Sequence, residues 1–243
     1  MLYQRTIVTL AVALLTIAGT SYSMAGPPRG NGGGSGGSGP ITDNEIEDLV
    51  FMWEEEKLAR DSYIVLGEEW GLAIFSNIAK SEQKHMDALE KLIDKSGLTD
   101  PVDDESAEGI GDFKNDYLEG LYAKLIDWGL ISEMDSLKVG GAIEETDIRD
   151  IHHAIERAKN QNIITTYESL LCGSRNHLRA FVAKIQIDGV VYEPFLEYPD
   201  PDPEYSDPDE LDELWEIIRS PMEQDCGGNR RGRQGSGGNR QDK

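Results

Sequence analysis

Four segments with helical periodicity carry carboxylates or imidazoles on the stripe that should be apolar. In the first, Glu56 lies seven residues after Leu49 and seven before Tyr63, so it shares their helix face. Buried carboxylates are unfavourable unless they are paired or bind a cation. The chain must therefore adopt a fold that brings these polar groups together.

The other three segments repeat this feature. Glu82 and His85 have i, i+3 spacing on the second, Glu144 lies on the apolar stripe of the third with Asp147 one turn away, and His177 lies on that of the fourth. Each element alone is a weak signal, because Glu-x-x-His on a helix is usually a surface pair. The coincidence of four such stripes indicates one shared cation site.

Carboxylates and imidazoles without thiolates suit iron or manganese rather than structural zinc. Several carboxylates in one place can also offset the repulsion between two cations. We therefore predict a centre for two iron ions, with manganese as the alternative metal. The candidate ligands are Glu56, Glu82, His85, Glu144, Asp147 and His177.

The predicted fold is all-α, a four-helix bundle with a long helical crossover between helices two and three. Capping residues and glycines mark the ends of the helices. Helix one begins at Thr42 or Asp43 and ends between Gly67 and Gly71; the others run from about 72 to 95, 132 to 158 and 163 to 185, with the crossover helix at 113–128.

The domain organisation follows from composition. Residues 1–25 have the charged and apolar regions of a secretory signal peptide, with an uncleaved anchor as the alternative. A Gly/Ser/Pro-rich linker at 26–40 precedes the bundle domain, 41–187. An acidic, Pro-rich extension with a short helix follows at 188–226, then a disordered Gly/Arg-rich tail at 227–243. The protein is expected to be exported and to be secreted, periplasmic or attached to the cell surface.

The formal net charge of −23 argues against nucleic acid and against an anionic membrane surface as partners. No membrane association is expected after signal cleavage. The two cysteines, Cys172 and Cys226, form no metal-binding cluster; they form either one disulfide or, for Cys172, a buried free thiol. Alternating acids at 200–206 lack the glycine of a calcium loop and are interpreted as a solvated segment.

A family resemblance supports this interpretation. The run Glu56-Lys-Leu-Ala-Arg-Asp-Ser-Tyr63, followed by Glu82-Gln-Lys-His85, resembles the first half of rubrerythrin and of ferritin-like di-iron proteins. The segments WGLAIFSNIAKSEQKHMDAL, VGGAIEETDIRDI and LLCGSRNHLRAF resemble the ferritin-like domain of unknown function 2202. The resemblance covers about 41–187 and implies a ferritin-like bundle with a dinuclear iron centre.

The chain departs from the di-iron pattern on the fourth helix, where Ser174 replaces the glutamate of Glu-x-x-His. Asp147 is the candidate replacement; otherwise the site holds one metal or is asymmetric. Glu145 competes with Glu144 but falls off the apolar stripe, so we expect it to face solvent. We also expect Glu54 and Glu55 to be surface charges. Finally, Tyr63 and Tyr167 are expected in the core, each with its hydroxyl bonded to a ligand carboxylate.

These features lead to three functional hypotheses. The first is an oxidoreductase that oxidises Fe(II) or reduces peroxide or dioxygen; since the sequence contains no Cys₄ module, an unidentified electron donor or Fe(II) itself supplies the electrons. The second is a metal-binding or cell-envelope protein without enzymatic activity. The third is a metal-free bundle used for protein contacts. The oligomeric state is open, with a homodimer as one option.

Overall fold

The computed structural model describes residues 39–96, 109–195 and 208–220. Within these ranges the chain forms six α-helices and no β-strand, which confirms the predicted all-α fold. In chain order the helices are α1 Asp43–Trp70, α2 Ala73–Lys95, α3 Asp116–Gly129, α4 Glu133–Arg157, α5 Gln161–Ile187 and α6 Pro208–Arg219.

The bundle consists of α1, α2, α4 and α5. Connections of two and three residues make α1/α2 and α4/α5 antiparallel hairpins. The hairpins pack through α1 against α4 and α2 against α5, so the α1/α4 and α2/α5 faces are opposite one another. The predicted crossover helix is present as α3, which lies over α1 and α4, and α6 packs on α5.

Side-chain caps explain where the bundle helices begin. Thr42 and Glu45 form a capping box at the start of α1, and Ser132 accepts a hydrogen bond from the Asp135 backbone N–H at the start of α4. Gly71 ends α1 with φ of 67°, a left-handed conformation that favours glycine. The boundaries expected for α1 and α4 are thus confirmed.

The core next to the candidate site is aromatic. The rings of Tyr63, Phe75 and Phe181 lie 5.4–6.0 Å apart in tilted pairs. Phe181 packs directly on the backbone of α4 at Gly140, where an added Cβ would lie 2.3 Å from its ring. Close approach of α4 and α5 therefore depends on the missing side chain at residue 140.

Polar residues on the outer side of α1 are buried because α3 and the segment before it cover them. Glu54, 4% exposed, accepts hydrogen bonds from the backbone N–H groups of Lys114 and Asn115 just before α3. Glu55 is 5% exposed. The expectation that these two glutamates are surface charges is therefore wrong.

The same side of α1 contains a buried ion pair. Lys57 Nζ lies 2.6 Å from Asp61 Oδ2 and donates to the carbonyl of Gly109 at 2.7 Å. The backbone N–H of Gly111 donates to the same Asp61 oxygen. These bonds tie the segment before α3 to α1.

The segment after α5 covers the outer side of α4. Tyr192 donates a 2.6 Å hydrogen bond to Glu145 Oε1, and the backbone N–H of Phe195 donates to Oε2. Glu145 is therefore buried, and the expectation that it faces solvent is wrong. Farther along, Arg179 donates to the Ile217 carbonyl and fastens α6 to α5.

Several predictions concern residues that the structure does not describe. These are the signal peptide at 1–25, nearly all of the linker, the acids at 200–206, Cys226 and the tail at 227–243. Cys172 on α5 is described and is disulfide-bonded, so the alternative of a buried free thiol is wrong. Within the described ranges, no helix is both long and apolar enough to cross a membrane.

Candidate metal centre

Two groups of potential metal ligands share one residue in the middle of the bundle. Glu56, Glu82 and His85 form one group, and Glu82, Glu144 and His177 form the other. In each group the ligand atoms all lie within 4.8 Å of one another. The arrangement has the form of a dinuclear site in which Glu82 belongs to both halves.

Both oxygens of Glu82 face an imidazole nitrogen. Oε2 lies 2.8 Å from Nδ1 of His85, and Oε1 lies 2.8 Å from Nδ1 of His177. The two imidazole rings stack with their centroids 5.6 Å apart. Glu82 therefore lies between two nitrogen donors, as a bridging carboxylate would.

One further carboxylate completes each half. Oε2 of Glu56 is 3.1 Å from Nδ1 of His85, and Oε2 of Glu144 is 3.5 Å from Nδ1 of His177. Each half thus offers one imidazole, one carboxylate of its own and the shared Glu82.

The four helices of the bundle position these groups. The i, i+3 spacing puts Glu82 and His85 on the inner face of α2, while α1, α4 and α5 supply Glu56, Glu144 and His177. The predicted convergence of one ligand-bearing stripe from every bundle helix is observed in the structure.

The carboxylates are buried, and several of their atoms have no hydrogen-bond partner among the described residues. Glu56, Glu82 and Glu144 are 1–2% exposed. The unpartnered atoms include Oε1 of Glu56, Oε1 of Glu82 and Nδ1 of His177. The last two are 2.8 Å apart yet lack hydrogen-bond geometry. Unpartnered buried acceptors are costly, and a cation between them would satisfy them.

Burial and mutual charge shift the pKa values of these groups. Burial raises the pKa of Glu56 to about 7, against the lowering effect of His85. Burial also acts to raise the pKa of Glu82, but the two histidines outweigh it and lower that pKa. Burial alone would lower the pKa of His177, yet Glu82 and Glu144 raise it to about 10. Protons on these groups thus compete with cations and must leave when cations bind.

Tyr63 and Gly173 support the ligands from behind. The hydroxyl of Tyr63 donates to Oε1 of Glu144 at 2.5 Å, which confirms the predicted bond to a ligand carboxylate. At Gly173, an added Cβ would lie 2.6 Å from Nε2 of His85. The glycine therefore leaves the space that the His85 ring occupies.

Asp147 is buried beside the centre but is not part of either ligand group. Its Oδ2 accepts a short hydrogen bond from Ser174, the residue that replaces the expected glutamate of α5. Its other oxygen, Oδ1, has no partner among the described residues. The structure therefore brings together five of the six predicted ligands and holds the sixth close by, with one free oxygen.

The prediction for Tyr167 is only half confirmed. The residue is fully buried, but its hydroxyl has no hydrogen-bond partner among the described residues. It therefore does not support a ligand carboxylate as Tyr63 does.

Two features of the site region were missed from the sequence. Gly173 could have been noticed as a glycine inside a helical segment, which often marks a close approach. The Lys57–Asp61 pair has ordinary i, i+4 spacing, which is typical of exposed helix faces, so its burial had no local signal.

Comparison with known proteins identifies the family of this chain. Residues 45–198 match the family described as "Uncharacterized protein domain (DUF2202)". The chain belongs to this family. The DUF2202 chain is 49% identical over 155 residues to Uncharacterized protein MJ0754 of Methanocaldococcus jannaschii. The aligned region covers 64% of this chain and 82% of that protein.

A solved structure supports the fold of this DUF2202 chain. It is the crystal structure of hypothetical protein MJ0754 from Methanococcus jannaschii DSM 2661, matched with a TM-score of 0.67 and 44% identity. The match covers 78% of this chain and 100% of that one. The all-helical architecture thus agrees with a solved relative.

Proposed function

We propose that this protein binds two iron ions on either side of Glu82 and uses them to oxidise Fe(II) with peroxide or dioxygen. The observation that carries the proposal is the position of the Glu82 carboxylate, whose two oxygens each lie 2.8 Å from a different imidazole nitrogen. A carboxylate facing two separate nitrogen donors is suited to joining two cations.

The donor set fits iron. It combines three carboxylates and two imidazoles, with no thiolate in either group. Oxygen and nitrogen donors of this kind favour iron or manganese, whereas structural zinc sites are rich in thiolates. Three buried carboxylates also supply negative charge that offsets the repulsion between two divalent cations. Manganese is the alternative metal.

Two Fe(II) ions held here would supply one electron each, which suffices to reduce hydrogen peroxide to two waters or dioxygen to hydrogen peroxide, with uptake of two protons in either case. Glu82 holds the two halves at a fixed spacing, and Tyr63 orients Glu144. Because burial raises the pKa of Glu56 to about 7, this carboxyl can hold a proton until a cation displaces it.

Access for a small oxidant is best at the histidines. The side chains of His85 and His177 are each 12% exposed, whereas the carboxylates are nearly inaccessible. We call the partly exposed surface formed by His85 and His177 the histidine rim. Gly173, which lies between these two residues, adds no side chain to it. The proposal therefore places the approach of peroxide or dioxygen on the α2/α5 face.

Two further parts of the proposal concern cellular context. With only two cysteines in the sequence and no Cys₄ electron-transfer module, electrons come from a separate donor or from Fe(II) itself. The signal-peptide pattern at 1–25 supports export, so the protein would act in secreted, periplasmic or surface-attached form. The mass of the chain recovered from the exported fraction tests this, since cleavage after Ala25 removes 25 residues.

An anaerobic titration with Fe(II), followed by admission of oxygen, tests the proposed activity. The expected result is binding of two Fe(II) per chain and then ferric absorption in the near ultraviolet. Glu82→Gln should lose most of the binding because it removes the charge that both halves share. Glu156→Gln, an equal charge change at an exposed site on α4, is the matched control.

Two other outcomes of the Fe(II) titration would argue against this activity. Absence of Fe(II) binding by the unaltered protein would contradict the proposal. Tight binding without oxidation, together with a melting temperature that falls on chelation, would instead favour a metal-binding role without enzymatic activity.

A further inference from the structure

A second row of carboxylates lies between α1 and α4, next to the proposed ligands. Glu55 and Asp147 are each 5% exposed, while the side chain of Asp150 is 21% exposed. The row therefore extends from the buried neighbourhood of the centre to the surface of the bundle.

Helix geometry produces this row. Glu144, Asp147 and Asp150 follow one another at three-residue intervals on α4. Each interval rotates the side chain by about 60° around the helix and advances it by about 4.5 Å. The three carboxylates therefore form a slanted line that begins at a proposed ligand and ends at a partly exposed position.

Glu55 on α1 connects the line. Its side chain lines a small cavity together with Thr146 of α4. Its carboxyl also lies close enough to those of Asp147 and Asp150 to interact with both electrostatically. Neighbouring carboxylates of this kind suit a divalent cation, because carboxylate oxygens are its preferred ligands.

Two oxygens in this row have no partner. Oε2 of Glu55 and Oδ1 of Asp147 are buried and make no hydrogen bond with any described residue. Glu55 also lines a small cavity beneath α3 whose other walls are mostly apolar. These side chains, which include Leu58, Leu121 and Ile143, offer the carboxylate no hydrogen bond. Both oxygens are thus available to a passing cation.

We infer that Asp150, Glu55 and Asp147 form a route along which Fe(II) moves from the surface to the proposed dinuclear centre. The inference rests on the proposed function and names the cation path to the same site. It involves exchange of ligands only, with no change in oxidation state. The route lies on the α1/α4 side, opposite the histidine rim on α2/α5. Arg149 donates to Asp150 Oδ1 at 2.9 Å and borders the outer end of the route.

The experiment separates cation movement from chemistry at the centre. Full-length protein is loaded anaerobically with two Fe(II) per chain, and release to a coloured Fe(II) chelator is followed in time. In parallel, oxidation is followed in two modes: protein loaded first and then mixed with oxygen, or protein mixed with Fe(II) and oxygen together. The variants are Glu55→Gln, Asp150→Asn and the exposed control Glu156→Gln.

In Glu55→Gln we expect anaerobic release and simultaneous-mixing oxidation to slow about tenfold, since an attractive charge along a path raises the rate by this order or more. Asp150→Asn should show a smaller slowing in the same two readouts. Preloaded oxidation should stay within about twofold of the unaltered protein, because the path is then not used. The control should match the unaltered protein in all readouts.

Three results would overturn the inference. Unchanged release and loading in both variants would mean that Fe(II) enters elsewhere, with the histidine rim as the remaining access. Equal slowing in the preloaded mode would place Glu55 in the chemistry rather than in the route. If the unaltered protein binds no Fe(II), the proposed function fails as well. If it binds two Fe(II) and the route variants behave as it does, only the inferred route fails and the proposed function stands.

Discussion

The hydroxyl of Tyr63 on α1 donates a 2.5 Å hydrogen bond to Oε1 of Glu144 on α4. This bond joins the two helical hairpins at the level of the candidate centre. The other oxygen of Glu144, Oε2, faces His177 and lies 3.5 Å from its Nδ1. The orientation of one proposed ligand thus depends on a residue that does not itself bind metal.

Replacing Tyr63 by phenylalanine should weaken metal binding while preserving the fold. Loss of a hydrogen bond to a ligand typically reduces metal affinity by about 10–100-fold. Equilibrium dialysis with Fe(II) under anaerobic conditions measures this. An affinity unchanged within twofold would show that Glu144 needs no orienting bond.

Gly173→Ala should reduce metal affinity through His85. The new Cβ would lie 2.6 Å from Nε2 of His85, so the ring must leave the position in which its Nδ1 faces Glu56 and Glu82. The control is Gly120→Ala on α3, where an added Cβ meets nothing within 4 Å and should stabilise the helix by about 1 kcal/mol. Equal Fe(II) affinity in both variants would contradict the role assigned to Gly173.

Lys57→Met should destabilise the protein by about 3 kcal/mol, because removing one partner of a buried pair leaves the other uncompensated. Arg60 still pairs with Asp61, which limits the loss to the lower part of the usual range. Urea unfolding measures the difference. Lys124→Met, at an exposed position on α3, serves as the control, and comparable stability of the two variants would contradict the structural role of the pair.

Acid should weaken the junction of α1 with the α4/α5 connection through Glu45. Burial acts to raise the pKa of Glu45, but hydrogen bonds from Thr42 and from the backbone N–H groups of Lys159 and Asn160 outweigh it and lower that pKa below 4.5. Glu45 therefore contributes stability that is fully present above about pH 4.5 and is lost as the pH falls through its lowered folded-state pKa.

Glu45→Gln should remove this pH dependence. Urea unfolding between about pH 7 and pH 3 should show a smaller loss of stability in the variant than in the unaltered protein. Glu47→Gln, exposed on the same helix turn, should behave like the unaltered protein. Identical pH profiles for all three proteins would contradict the contribution assigned to Glu45.

The helices and the five converging ligands could be predicted because their signals are local. Caps such as Thr42 and Ser132 mark helix starts, and a glutamate on an apolar stripe, such as Glu56, indicates an interior position. The periodicity of each helix and the arrangement of four helices in a bundle were therefore sufficient to predict that these ligands converge.

The errors have a common physical cause. Glu54, Glu55 and Glu145 lie off the stripe that faces the bundle core, so helical periodicity places them in solvent. In the structure the crossover region covers the first two, and the segment at 190–195 covers Glu145. What packs on the outer face of a helix is set by distant parts of the chain, which no local pattern reveals.

Anomalous diffraction at the iron absorption edge, from crystals grown anaerobically with Fe(II), tests the central claim most directly. The account predicts two peaks per chain, one beside His85 and one beside His177, with the carboxylate of Glu82 between them. A single peak, or peaks only at exposed acids, would contradict a dinuclear centre built on Glu82.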